Sequence, residues 1–82
     1  QVALPGWEER AYVPEILRAR AIAFEGLGAH DKAEETYRAS IAAAREQGAR
    51  SWELRSATSF AALLARQRRR DEAIHVLRPI YD

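Results

Sequence analysis

The chain has 82 residues, 13 basic and 12 acidic side chains and no cysteine, so it makes one domain at most and can bury roughly sixty per cent of its unfolded surface. The missing cysteines exclude disulfides and thiolate chemistry and fit a reducing, cytoplasmic setting. No apolar run of eighteen residues and no signal-type start occur, which excludes a membrane-spanning helix and an export signal.

Residues 1–12 contain the breaker Pro5-Gly6, which predicts a connector or the end of a preceding helix, with Trp7 packing on the first helix. The start at Gln1 rather than Met is read as a piece cut from something longer. Pro14 suits a first helical turn and Glu15 suits the positive end of the dipole, so the first helix is predicted at 14–27. Ile16 and Leu17 begin its buried face, and Ala21, Phe24 and Leu27 continue it at helical spacing. Gly28 interrupts. Asp31, with Glu34 three residues later, is a capping-box pattern that opens a second helix at 31–47, whose stripe is Ala33, Tyr37, Ile41 and Ala44. Gly48 suits its C-cap.

Ser51 is the predicted cap of a third helix, 51–67, with Glu53 in the first turn and a stripe of Leu54, Ala57, Phe60, Ala61 and Leu64. Trp52 is assigned to the join between the two halves. From Arg66 to Arg70, charge stands where glycine is expected, and Asp71 and Glu72 then restart a helix at 71–80 with Ala73, Ile74, Leu77 and Ile80 on its apolar face. Pro79 should kink that helix near residue 78 or end it, giving a short last element. No alternating strand pattern separates these stripes. Connections of two to four residues make successive helices antiparallel.

One offset of forty residues superimposes the two halves. Ala21 falls on Ala61, Phe24 on Leu64, Asp31 on Asp71, Ala33 on Ala73, Tyr37 on Leu77 and Arg38 on Arg78. A hairpin unable to enclose its own apolar face must stack on a neighbour. The predicted fold is therefore all-α, two stacked antiparallel helix hairpins, with one repeat at 13–48 and a second at 51–82.

Chemistry has little foothold. His30 with Glu34, or with Asp31 and Glu35, has metal-ligand spacing, but a loop histidine beside a solvated first turn explains it, and His75 falls off the packed stripe. Ser51 is accounted for as a cap, while Ser56, Thr58 and Ser59 lie in a helix without a nearby histidine, so no nucleophile with its base is visible. Gly26 and Gly28 have no preceding strand and make no phosphate loop. No enzyme, metal or cofactor is expected. Arg66, Arg68, Arg69 and Arg70 invite nucleic acid, but Asp71 and Glu72 partly neutralise them and no aromatic residue is near to stack on a base.

The spacing Leu17, Ala21, Phe24, Ala33, Tyr37, with its echo Ala57, Ala61, Leu64, Ala73, Leu77, resembles the tetratricopeptide repeat, a stacking helix pair of thirty-four residues. The period of forty and the absence of a proline after the second helix depart from it and imply a longer second helix and a wider joint at Gly48 to Ser51. More narrowly, YVPEILRARA, the run from AEETYRASI through GARSWELR to ARQRR, and DEAIHVLRPIYD are similar to the C-terminal repeat region of large bacterial signalling proteins that join a nucleoside-triphosphate switch module to an adenylate cyclase or LuxR-type regulator. That resemblance covers 12–82 and implies a cytoplasmic scaffold or sensor arm that binds a protein or peptide, with catalysis in other modules.

In repeats of this kind the first helix of each pair lines the concave groove, which implies a binding face of Glu15, Arg18, Ile22 and Glu25 with Arg55, Thr58, Ala62 and Arg66. Carboxylate-capturing grooves of such repeats use lysine and asparagine, whereas this chain has only Lys32 and no asparagine, so the expected ligand is acidic or helical and oriented by arginine. Exposed repeat ends would also permit self-association. Contact with nucleic acid through the Arg66–Arg70 turn, or a small effector in the groove, are the alternatives.

Overall fold

A computed structural model describes residues 7–81, with side chains at 12–79. The four helices are α1 (Trp7–Gly26), α2 (His30–Gln47), α3 (Arg50–Arg66) and α4 (Arg70–Tyr81). No strand occurs among the described residues, and no described helix is long and apolar enough to cross a membrane. The fold is all-α. Residues 1–6, with the Pro5-Gly6 breaker, and the Trp7 side chain lie outside what is described.

Three turns set the geometry, and they are copies of one another. Gly28, Gly48 and Arg68 each take the left-handed conformation, with φ of 78°, 69° and 63°, at intervals of twenty residues. In each turn the next amide bonds five residues back: Ala29 N to Phe24 O at 2.9 Å, Ala49 N to Ala44 O at 2.8 Å and Arg69 N to Leu64 O at 2.9 Å. The left-handed residue itself bonds three back, completing a Schellman closure at all three sites. Glycine takes this conformation without a Cβ penalty, whereas an L side chain pays about 1–2 kcal/mol, so Arg68 is the strained copy.

The same turns move the helix starts. Ala29 and Ala49 are the N-cap residues of α2 and α3, and neither has a side-chain cap hydrogen bond. Asp31 and Ser51, the predicted caps, are instead the second residues of their helices. Asp31 keeps the favourable place of an acid in a first turn. Glu34 does not close a capping box: it accepts from Arg38 at 3.0 Å and from Arg69 at 3.0 Å.

Both described prolines, Pro14 and Pro79, fall inside helices. The first helix begins at Trp7 rather than at 14, so residues 7–12 are helix rather than connector and Pro14 sits in the interior of α1. Pro14 is fully buried, and its carbonyl accepts a second hydrogen bond, from Ser40 Oγ at 2.7 Å. At the other end α4 continues through Pro79 to Tyr81. Pro79 lies within three residues of that helix's end, so only its last turn feels the missing donor.

Six of the eleven buried apolar residues are alanine: Ala21, Ala33, Ala44, Ala57, Ala61 and Ala73. Missing side chains let helix backbones approach, and rings fill the remaining gaps. Tyr37 of α2 stacks on Phe60 of α3 with centroids 5.7 Å apart, and both are fully buried. Leu63 and Leu64 join them, and Phe24, Val76 and Leu77 pack around the edge. Several predicted stripe residues stand outside this core. Leu27 lies beyond the end of α1 and is 80% exposed, while Ile16 and Ile74 are about half exposed.

The packing order is α1 on α2, α2 on α3, α3 on α4, and α1 on α3. Among the described residues α1 does not pack against α4, which separates this arrangement from a closed four-helix bundle. A buried hydroxyl chain ties the first three helices: Ser56 donates to Ser40 Oγ at 2.6 Å, and Ser40 donates to the Pro14 carbonyl.

Candidate partner-binding face

Helices α1 and α3 lie side by side, and side chains forty or forty-one residues apart join them. The rings of Tyr12 and Trp52 meet at 5.9 Å, so Trp52 does cover the join between the halves. Glu15 pairs with Arg55 at 3.5 Å. Arg18 donates to Ser59 Oγ at 3.4 Å. At the far end Glu25 accepts from Arg66. An offset that stays at forty or forty-one along two helices means that they run parallel; Glu15 meets Arg55 and Glu25 meets Arg66, whereas Arg18 meets Ser59 rather than Thr58.

The eight groove residues therefore divide into two ionic clusters with a smaller, neutral strip between. The first cluster is Glu15, Arg18 and Arg55, in which Glu15 also holds Arg18 at 3.4 Å. The second is Glu25 and Arg66, joined by the Tyr37 hydroxyl, which donates to the other Glu25 oxygen. Burial, followed by the adjacent Glu25 carboxylate, pushes the Tyr37 phenol well above its ordinary range, so it remains a donor at any working pH. Between the clusters Ile22, Thr58 and Ala62 are exposed, Ile22 by 45%. Arg55 and Arg66 are more than half exposed, so their donors can reach a ligand as well as their glutamates.

The first cluster is not fully satisfied. Glu15 Oε2 and Arg18 Nε are shielded from solvent and have no hydrogen-bond partner. A shielded polar atom without a partner costs about 1–3 kcal/mol.

Tyr37 and Ser59 were not among the sequence-derived groove residues. The signal for Ser59 was present: once two helices are taken as parallel at an offset near forty, Arg18 must look for a partner near 58. Tyr37 gives no such signal, because its ring belongs to the core and only its hydroxyl reaches the Glu25 carboxylate.

The arginine turn is less cationic than its sequence. Arg66 is held by Glu25, and Arg69 is clamped by Glu34 at 3.0 Å and Glu72 at 2.6 Å. The Arg69 guanidinium holds both carboxyls below their ordinary value of 4.5, with Arg38 also acting on Glu34. The side chains of Arg68 and Arg70 have no ion pair or hydrogen bond among the described residues.

His30 and His75 are exposed, and no group of three possible metal ligands forms among the described residues. Ser56 is spent in the buried hydroxyl chain. A separate cleft of about 260 Å³ lies between α2 and α4, lined by Arg38, Ile41, Arg45, His75, Val76 and Pro79 among others. None of the eight groove residues contributes to it. Compared with known protein families, with curated proteins and with solved structures, this chain gives no match.

Proposed function

We propose that this chain is a non-catalytic protein-interaction module, a stacked pair of tetratricopeptide-like hairpins that serves as a docking or sensing arm of a larger bacterial signalling or transcription-regulatory protein. The observation that carries this reading is the register of α1 on α3. Contacts between residues 12 and 52, 15 and 55, 18 and 59, and 25 and 66 are what two stacked copies of one hairpin produce and what a closed bundle does not. They leave one face on which Ile22, Thr58 and Ala62 offer apolar and neutral contact between arginines.

An acidic segment, helical or extended, fits this face. Its apolar side chains cover Ile22 and Ala62, and its carboxylates engage Arg55 and Arg66, which their own glutamates only half occupy. A peptide selected from an acidic library tests the assignment by amide-shift mapping: perturbations should centre on Arg18, Ile22, Thr58 and Ala62. Ile22→Arg should weaken binding tenfold or more with unchanged helicity. Perturbations confined to the Arg68–Arg70 turn, or to α2 and α4, would contradict it.

Two further readings each rest on one observation. The unpaired Arg68 and Arg70 support a nucleic-acid contact, which would be weak because two phosphate contacts confer little affinity and a shallow salt dependence. The α2–α4 cleft, lined by Arg38 and Arg45 together with Ile41 and Val76, is a better seat for a small anionic effector than the groove.

A further inference from the structure

Helix α3 packs against both α2 and α4, but among the described residues α2 and α4 do not pack against each other. The gap they leave is the cleft of about 260 Å³. Its α2 wall is Arg38, Ile41, Ala42 and Arg45, whose spacing is that of a single helix face. Val76 and Pro79 of α4 line the opposite wall, beside His75. The cleft is therefore apolar between two arginines, and no acidic residue lines it.

Both arginines are held in place by groups outside the cleft. The Arg38 guanidinium sits 4.9 Å from the centroid of the Phe60 ring and donates to Glu34 at 3.0 Å. Glu34 also accepts from Arg69, so Arg38 does not have that carboxylate to itself. Arg45 donates through Nε to Glu53 at 2.5 Å. A guanidinium has more N–H donors than one carboxylate takes up, and both side chains are at least half exposed, so donors remain for a ligand. Side chains already positioned lose less freedom on binding than free ones.

These features select one kind of ligand. A bare anion such as phosphate would leave Ile41, Val76 and Pro79 in contact with water, and an uncharged apolar molecule would leave the arginine donors without use. Pockets for drug-sized molecules hold about 300–1,000 Å³, so the occupant is smaller than those. We propose that the α2–α4 cleft binds a small organic carboxylate, its charge met by Arg38 and Arg45 and its apolar body lying against Ile41, Val76 and Pro79. This deepens the reading of the cleft as an effector seat and rests on it; the docking face on α1 and α3 is independent of both.

Hexanoate is the probe. Titrated into the natural chain at constant ionic strength, it should shift the amides of Arg38, Ile41, Ala42 and Val76 with a Kd of about 1 mM, as suits so few ligand atoms. Acetate, inorganic phosphate and hexanol each lack one half of the chemistry and should bind about tenfold more weakly. Arg38→Gln with Arg45→Gln should weaken hexanoate by about tenfold or more, the cost of losing charge-assisted hydrogen bonds, and leave hexanol unaffected. Ala42→Glu places an acid between the two arginines at an exposed helical position, so it should weaken hexanoate to a similar degree with helicity unchanged. Phosphate that occupies the cleft as tightly as hexanoate would overturn the ligand class while keeping the effector seat. An absence of shifts at the cleft with every anion would overturn both, and hexanoate binding that survives Ala42→Glu would overturn the assignment of its charge to these arginines.

Discussion

Helices α1 and α3 lie side by side, yet α3 packs against three helices and α1 against two. Where α3 has Phe60, fully buried, α1 has Arg20, exposed; where α3 has Leu63, α1 has Ala23. The shared positions, Ala21 with Ala61 and Phe24 with Leu64, are the ones that pack inside each hairpin. The divergent positions are those that would meet a neighbour.

The contrast between positions 20 and 60 can be broken most forcefully by truncation. Phe60→Ala should cost about 3–5 kcal/mol and leave so small a domain largely unfolded, because the ring fills the space that alanine-rich backbones leave around Tyr37. Arg20→Ala should change stability by no more than about 0.5 kcal/mol. Chemical denaturation of the two variants measures the difference.

The buried hydroxyl chain gives a smaller and asymmetric effect. Ser40→Ala strands the Ser56 hydroxyl without an acceptor and should cost about 1–3 kcal/mol, whereas Ser56→Ala leaves Ser40 still donating to Pro14 and should cost about 1 kcal/mol or less. Equal losses would mean that the donor order is wrong.

The turns allow a change of the opposite sign. Arg68→Gly should stabilise by about 1 kcal/mol, since it releases a left-handed L-residue, and Gly48→Ala should destabilise by a similar amount. A melting temperature that falls in Arg68→Gly would show that the third turn is not a copy of the other two.

Charge gives the smallest effect and a clear sign. Glu34 has a folded-state pKa held below 4.5 by Arg69 and Arg38, so its contribution is complete above that value and fades as pH falls through the lower folded value. Glu34→Gln should therefore flatten the acid limb of the stability profile below pH 4.5 and leave its slope near neutrality unchanged. Stability of the parent that rises on acidification through this window would contradict the assignment.

Much of the architecture was legible in the residues because helix periodicity and the forty-residue echo are both carried by packing positions such as Ala21, Ala33, Ala61 and Ala73. Helix ends were less so. Asp31 and Ser51 have the chemistry of caps, but each helix begins earlier because the Schellman turn before it already fixes the chain direction. Read locally, Pro14 marks a first helical turn, where its missing N–H is no loss; burial of its ring and the hydrogen bond from Ser40 are long-range gains that no local pattern shows. The groove residues were placed from their position in the hairpin, and Glu15, Arg18, Glu25, Arg55 and Arg66 do meet across α1 and α3. That they neutralise one another depends on register, which was visible only once the two helices lay side by side.

The central claim is that residues forty apart are neighbours. Nuclear Overhauser contacts in the natural chain test it directly: ring protons of Tyr12 should contact those of Trp52, with further contacts between Arg18 and Ser59 and none between α1 and α4. Contacts from α1 to α4, with the Tyr12–Trp52 contact missing, would describe a closed bundle and contradict the stacked repeat.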